Sequence, residues 1–181
     1  EQQVYLKDLL AKEFYGEMPP APGNVRAERL SQKELWGGRA LFEVYDLSCG
    51  PENMVHETVA VIRTAETTAG AEGAADEAAA KKQIPIVLCG GYVDEEIAQY
   101  AISQGFCIAT PLTDDAAPDE ADYQKGTLYQ AYPDAGFKVI AMWGWLMSRV
   151  IDWLFTVDFA DTDHIVAAGH SRFGKAALAC A

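Results

Sequence analysis

Two short apolar runs, each ending in glycine, limit what this chain can fold into. Ile84-Pro85-Ile86-Val87-Leu88-Cys89 runs into Gly90-Gly91, and His164-Ile165-Val166-Ala167-Ala168 runs into Gly169. Neither shows the regular apolar-polar alternation of a half-buried strand, so each reads as a strand buried on both faces, as in a parallel sheet covered by helices on both sides. Between them, residues 94–104 carry acids in their first turn and stop at Gly105, and Phe106-Cys107-Ile108-Ala109-Thr110 follows as another strand. Strand, helix and strand make a βαβ unit. Residues 136–155 hold Phe137, Ile140, Trp143, Trp145, Leu146, Met147, Val150 and Trp153. A helix apolar around most of its circumference has to be covered on more than one side and belongs to the core. Arg149 and Asp152, three apart, can pair on one of its faces.

The N-terminal part reads differently. Residues 4–14 repeat apolar side chains at helical spacing and end before Gly16 and Pro19-Pro20-Ala21-Pro22-Gly23, which predicts a helix and then an extended connector. Residues 40–47 and 55–64 alternate apolar and polar around Cys49-Gly50-Pro51-Glu52-Asn53, as two strands of an antiparallel hairpin do. The expected layout is an N-terminal helix and connector over residues 1–38 and an α/β domain over 39–181. Within that domain, residues 65–83 shift to Ala, Gly, Thr and Glu with no large apolar side chain, and are expected to form a flexible surface loop. Residues 114–134 hold many acids, Pro118, Pro133 and three tyrosines, and form a long loop, either a binding element or a solvated acidic crossing.

Charge and cysteine content exclude several functions. The 14 basic residues face 27 acidic ones, a net charge of −13, and the whole excess falls on residues 1–134. A field of that sign repels phosphate backbones, so nucleic acid is not an expected partner. Arg149 and Asp152 interrupt the most apolar segment, so no membrane-spanning helix is expected. Glu1-Gln2-Gln3-Val4 has neither a basic region nor an apolar core of the kind an export signal shows, which leaves the compartment open. Cys49, Cys89, Cys107 and Cys180 are far apart, form no CxxC pair and read mostly as buried thiols, so a zinc site has no support.

The chemistry concentrates where the second apolar run ends. Gly169-His170-Ser171-Arg172-Phe173-Gly174-Lys175 lies between a strand and an Ala-rich helix start. A serine at the apex of such a turn projects its hydroxyl clear of the sheet, beside the free N–H groups of the helix start, which makes a nucleophile and half an oxyanion hole together. The G-x-S-x-G pattern is met at Gly169 and Ser171, but position 173 is Phe and the second glycine is Gly174. The same residues also satisfy G-x-x-x-x-G-K, a phosphate-cradling loop, except that Ala176 has no hydroxyl for Mg²⁺. A degenerate nucleotide-binding domain is therefore an alternative.

The string Gly-His-Ser-Arg-Phe-Gly-Lys-Ala-Ala-Leu resembles the nucleophile segment of the glucuronoyl esterase family of α/β-hydrolases and its bacterial esterase relatives, which use G-x-S-R-x-G-K. Tyr15-Gly16-Glu17-Met18-Pro19-Pro20 is similar to the entry segment of those proteins, and Trp143-Gly144-Trp145 with Arg149, Ile151 and Asp152 is similar to their helix before the nucleophile strand. The resemblance implies an α/β-hydrolase-type three-layer fold with a mostly parallel sheet and an N-terminal antiparallel hairpin. It implies a serine esterase acting on a carbohydrate ester, glucuronoyl or acetyl, with no metal or organic cofactor. Ser171 would be the nucleophile, the Arg172 N–H an oxyanion donor and the Arg172 guanidinium a further positive charge. Lys175 would contact sugar hydroxyls. Gly90 and Gly91 end the strand where many α/β-hydrolases place a second oxyanion donor.

The triad of that fold runs serine, acid, histidine in chain order, and residues 172–181 contain neither an acid nor a histidine. His56, His164 and His170 precede the serine and are read as structural. The expectation is an N-terminal half, truncated after the nucleophile elbow and nearly inert by itself, to be completed by a missing C-terminal half or a second chain. A non-catalytic scaffold or binding half is the remaining alternative.

Overall fold

The computed structural model describes residues 2–65 and 83–180. The loop expected over residues 65–83 lies almost entirely outside the described residues. The chain starts with α1 (Gln2–Leu10), which passes into a π-helical turn, Ala11–Tyr15. The strands are β1 (Arg26–Leu35), β2 (Ala40–Cys49), β3 (Val55–Thr64), β4 (Ile84–Gly90), β5 (Cys107–Leu112) and β6 (Ala160–Gly169). The remaining helices are α2 (Glu95–Ser103), α3 (Thr127–Ala131), α4 (Val139–Leu154) and α5 (Arg172–Cys180).

The six strands form one mixed sheet in the order β1-β2-β3-β5-β4-β6. β5, β4 and β6 are parallel, while β1, β2 and β3 form an antiparallel meander joined to β5 antiparallel. The antiparallel portion is thus larger than the expected hairpin, because residues 26–35, expected as connector, pair with β2. Its side chains are almost all exposed, so backbone hydrogen bonds rather than burial hold β1 in the sheet. β3 shows the opposite pattern: Val55, Glu57, Val59 and Val61 are buried and alternate with more exposed residues.

Helices lie on both faces, but β6, expected to be buried on both, is the edge strand of the described sheet and leaves Val166 60% exposed. α2 sets Ala98 and Ile102 on one face, near β3 and β5. On the other, α4 and α5 pack on β4 and β6 around a core that includes Ile86, Leu88, Trp143, Leu146 and Val150. Arg149, as expected, lies on α4 with its Nε 2.7 Å from Asp152 Oδ2, and its guanidinium sits 4.8 Å from the centre of the Trp145 ring. α5 fits closely against α4, since a Cβ at Gly144 would come within 2.8 Å of Ala179 Cβ. Among the described residues no helix is long and apolar enough to cross a membrane.

This topology fixes where a site can form. From β4 the chain crosses to β5 through α2 on one face, and from β6 it passes into α5 on the other. β4 and β6 are neighbours, with Gly90 opposite Gly169, so the two exits diverge between them. Such a switch point at the carboxyl ends of parallel strands leaves a crevice between adjacent chain exits, the usual ligand position in open α/β sheets.

Candidate active site

Ser171 stands at that switch point. β6 ends at Gly169 and α5 starts at Arg172, so only His170 and Ser171 make the turn. Ser171 has φ 54°, a left-handed conformation that a residue with a Cβ adopts only at a cost. The side chain is exposed, and its carbonyl accepts from the Lys175 N–H at 3.3 Å. The Arg172 N–H has no acceptor among the described residues and lies beside the serine, where a helix start directs partial positive charge.

Close packing explains the unusual glycine spacing. A Cβ at Gly169 would lie 2.5 Å from the Phe173 carbonyl carbon and 2.9 Å from Gly174 N, and one at Gly174 would lie 3.0 Å from Gly169 O. The helix start presses on the strand end through Gly174, which frees position 173 for a large side chain. Phe173 uses that freedom: its ring stacks on Trp143 at 4.5 Å and 17° and covers Gly90 and Gly91. A Cβ on either glycine would come within 2.9 Å of the ring. These two glycines therefore have a packing reason to be glycine, and they adjoin the elbow across the β4–β6 pair.

The Arg172 guanidinium lies 5.6 Å from the centre of the Trp143 ring and forms an ion pair with Asp119, both side chains being about half exposed. No local sequence signal marks Asp119, which is 53 residues away. Its place follows from packing: Trp143 Nε1 donates to Ala117 O at 2.7 Å, and Leu128 N donates to Ala116 O, so the 113–119 segment is tied to α4 and α3. Part of the loop expected over 114–134 is thus clamped to the core, with Ala116 and Ala117 fully buried. Lys175, one turn along α5 from Arg172, points to the N-terminal segment, its Nζ 5.4 Å from the centre of the Phe14 ring.

The three segments that carried the resemblance meet here. Tyr15 Oη donates to Lys175 O at 3.0 Å, and Trp145 Nε1 donates to Pro19 O at 2.9 Å. Gly16, at φ 80°, leaves no room for a side chain against Gly136 O. The entry segment is therefore a brace across α4 and α5. The phosphate-loop alternative fits this geometry poorly, because α5 begins inside the six-residue span that a phosphate cradle leaves as open loop.

Other nucleophiles and bases lie elsewhere. Burial pushes the thiols of Cys49 and Cys107 up to about 12, so neither is a thiolate at neutral pH. His56 Nδ1 is 3.0 Å from Asp46 and His164 Nδ1 is 2.8 Å from Asp161, each held by a local carboxylate. No histidine hydrogen-bonds to Ser171 Oγ among the described residues.

The sequence profile of the family described as fungal glucuronyl esterase matches residues 55–181. The chain belongs to the glucuronyl esterase family. Among solved structures it is similar to the glucuronoyl esterase of Solibacter usitatus, with a TM-score of 0.77 and 18% identity over 99% of this chain and 54% of that one. The glucuronoyl esterase of Teredinibacter turnerae superposes with a TM-score of 0.71 at 18% identity, over 98% of this chain and 47% of that one. A putative acetyl xylan esterase of Bacteroides fragilis gives 0.56 at 14%, over 98% of this chain and 48% of that one. No curated protein matches in sequence. The chain thus spans about half the length of these structural relatives and shares their α/β-hydrolase-type fold.

Proposed function

We propose that this chain carries the nucleophile of a serine esterase that cleaves esters of carbohydrates. The observation that carries the reading is Ser171 held at φ 54° between β6 and α5, since a serine in a costly conformation at a switch point is accounted for by exposure of its hydroxyl. A purely structural or scaffolding half would leave that conformation without a reason.

In the proposed reaction Ser171 Oγ attacks the ester carbonyl carbon and loses its proton to a base, the carbonyl oxygen becoming an oxyanion. The Arg172 N–H donates to this oxyanion, and the Arg172 guanidinium adds positive charge once it turns from Asp119. The Gly90–Gly91 backbone, across the β4–β6 pair, is the candidate second donor. Collapse of the intermediate expels the alcohol, which takes the proton back, and water then releases the acid from Ser171. Lys175, whose ammonium has no acceptor among the described residues, is assigned to sugar hydroxyls. The base and its acid partner are assigned to residues outside this sequence, in the same polypeptide or in a second chain.

Family membership and the acetyl xylan esterase likeness leave two ester types, glucuronoyl and acetyl. The test is hydrolysis of benzyl glucuronate and of acetylated xylan by the polypeptide as its gene encodes it, beside its Ser171→Ala variant. Turnover of the glucuronate ester, abolished by the substitution, supports the reading. Unchanged turnover in the variant overturns it.

A further inference from the structure

The β1–β2 hairpin tip holds a tryptophan where one is costly. Leu35-Trp36-Gly37-Gly38 closes through Gly38 N donating to Leu35 O at 3.2 Å, with φ 52° at Trp36 and 70° at Gly37. These positive φ values, within a four-residue loop between the paired Leu35 and Ala40, favour Asn or Gly, and a bulky side chain is an outlier there. The indole is fixed rather than loose. Trp36 Nε1 donates to Glu95 Oε1 at 2.8 Å, and Arg39 Nε donates to Trp36 O at 3.0 Å.

The fixed ring borders a pocket of about 200 Å³, lined by Trp36, Arg39, Thr64, Gln99, Ile102 and Ser103. Most of the lining surface is apolar, and Arg39, Thr64, Gln99 and Ser103 bring hydrogen-bonding groups to it. The terminal guanidinium nitrogens of Arg39 have no hydrogen-bond partner among the described residues. Gln99 donates its amide nitrogen to Glu95 at 3.1 Å and keeps its carbonyl oxygen for another group. A mostly apolar pocket with an aromatic side chain and a few donors and acceptors, at the scale of one sugar ring, fits a pyranose, which has an apolar C–H face and a rim of hydroxyls.

We propose that this pocket is a secondary carbohydrate subsite that holds one pyranose unit of a polysaccharide, with the sugar face on Trp36 and its hydroxyls on Arg39, Thr64 and Gln99. It is separate from Ser171. Ala40 pairs with Thr64 beyond the start of β5, at the opposite end of the sheet from the elbow, about one strand length or ~20 Å away. A subsite there keeps the polymer attached while Ser171 meets ester groups elsewhere on it. The choice of a polysaccharide rests on the proposed esterase reading, whereas the pocket itself does not.

The experiment is native gel electrophoresis in soluble neutral arabinoxylan, with calorimetry against xylohexaose, on a Ser171→Ala background so that no turnover intervenes. Retarded migration is expected, with binding about tenfold weaker in Trp36→Ala, the loss of about 1.4 kcal/mol. Gln99→Ala is the companion variant, because it weakens binding without touching the hairpin turn, and its melting temperature should stay at the parent value. No retardation of the parent, or equal retardation of parent and both variants, overturns the subsite. Xylan binding by a protein that, with Ser171 intact, hydrolyses neither ester would count against the esterase reading alone.

Discussion

Ser171 and Gly169 show how one turn sets both stability and chemistry. The left-handed conformation of Ser171 costs about 1 kcal/mol, a strain that glycine would not feel. Ser171→Gly is therefore expected to raise the urea midpoint slightly while abolishing any reaction at this position. Gly169 is constrained by contact instead: its missing Cβ would sit 2.5 Å from the Phe173 carbonyl carbon. Gly169→Ala forces the strand end and the helix start apart, at a cost of about 1–3 kcal/mol read from equilibrium unfolding. A neutral result would mean the elbow is looser than the contacts indicate. Ser171 was legible in the sequence because strand, turn and helix signals surround it. Asp119 was not, since nothing local distinguishes it from the other acids of its loop until packing brings it to Arg172.

At the scale of elements, Phe173 joins α5 to α4 and to the end of β4. Phe173→Ala removes its stacking on Trp143 and uncovers Gly90 and Gly91, and should cost about 3–4 kcal/mol in unfolding experiments. Because the ring also fixes Trp143, over which the Arg172 guanidinium lies, the same variant should loosen the Arg172 side chain. β4, α2, β5 and α4 were readable because burial imposes apolar runs or helical periodicity on them, whereas β6 carries an apolar run although it is an edge strand with only Ala160 buried. β1 was hidden for the opposite reason. An edge strand paired through its backbone and exposed on nearly every side chain leaves no hydrophobic pattern to read. The brace from Tyr15 to Pro20 had a sequence signature, but its contacts with Lys175 and Trp145 depend on how α4 and α5 cross.

Across the whole molecule, two buried glutamates on the antiparallel part of the sheet give stability opposite dependences on pH. Glu43 is fully buried; burial works to raise its pKa, but its hydrogen bonds and ion pairs with Arg63 and Arg29 outweigh that and hold it below the ordinary value. A depressed carboxyl favours the fold above its unfolded pKa, and this contribution is lost as pH falls below about 4.5. Glu57 is also fully buried, both its oxygens lack a hydrogen-bond partner among the described residues, and burial raises its pKa well above the ordinary value. The folded state then holds a proton that the unfolded state releases, so stability falls as pH rises above about 4.5. Glu57→Gln keeps the shape without the titration. Its melting temperature should exceed that of the parent at pH 8, with the gap closing toward pH 4.5. A gap that is constant with pH would show that Glu57 is already charged in the fold.

The assignment of Ser171 as nucleophile is tested most directly by covalent labelling. The polypeptide as its gene encodes it is treated with a fluorophosphonate, digested and mapped by mass spectrometry. The account predicts a single phosphonylated serine, Ser171, and no label on this segment in the Ser171→Ala variant. Label on another serine with Ser171 unmodified, or activity toward sugar esters with Ser171 unlabelled, would contradict it.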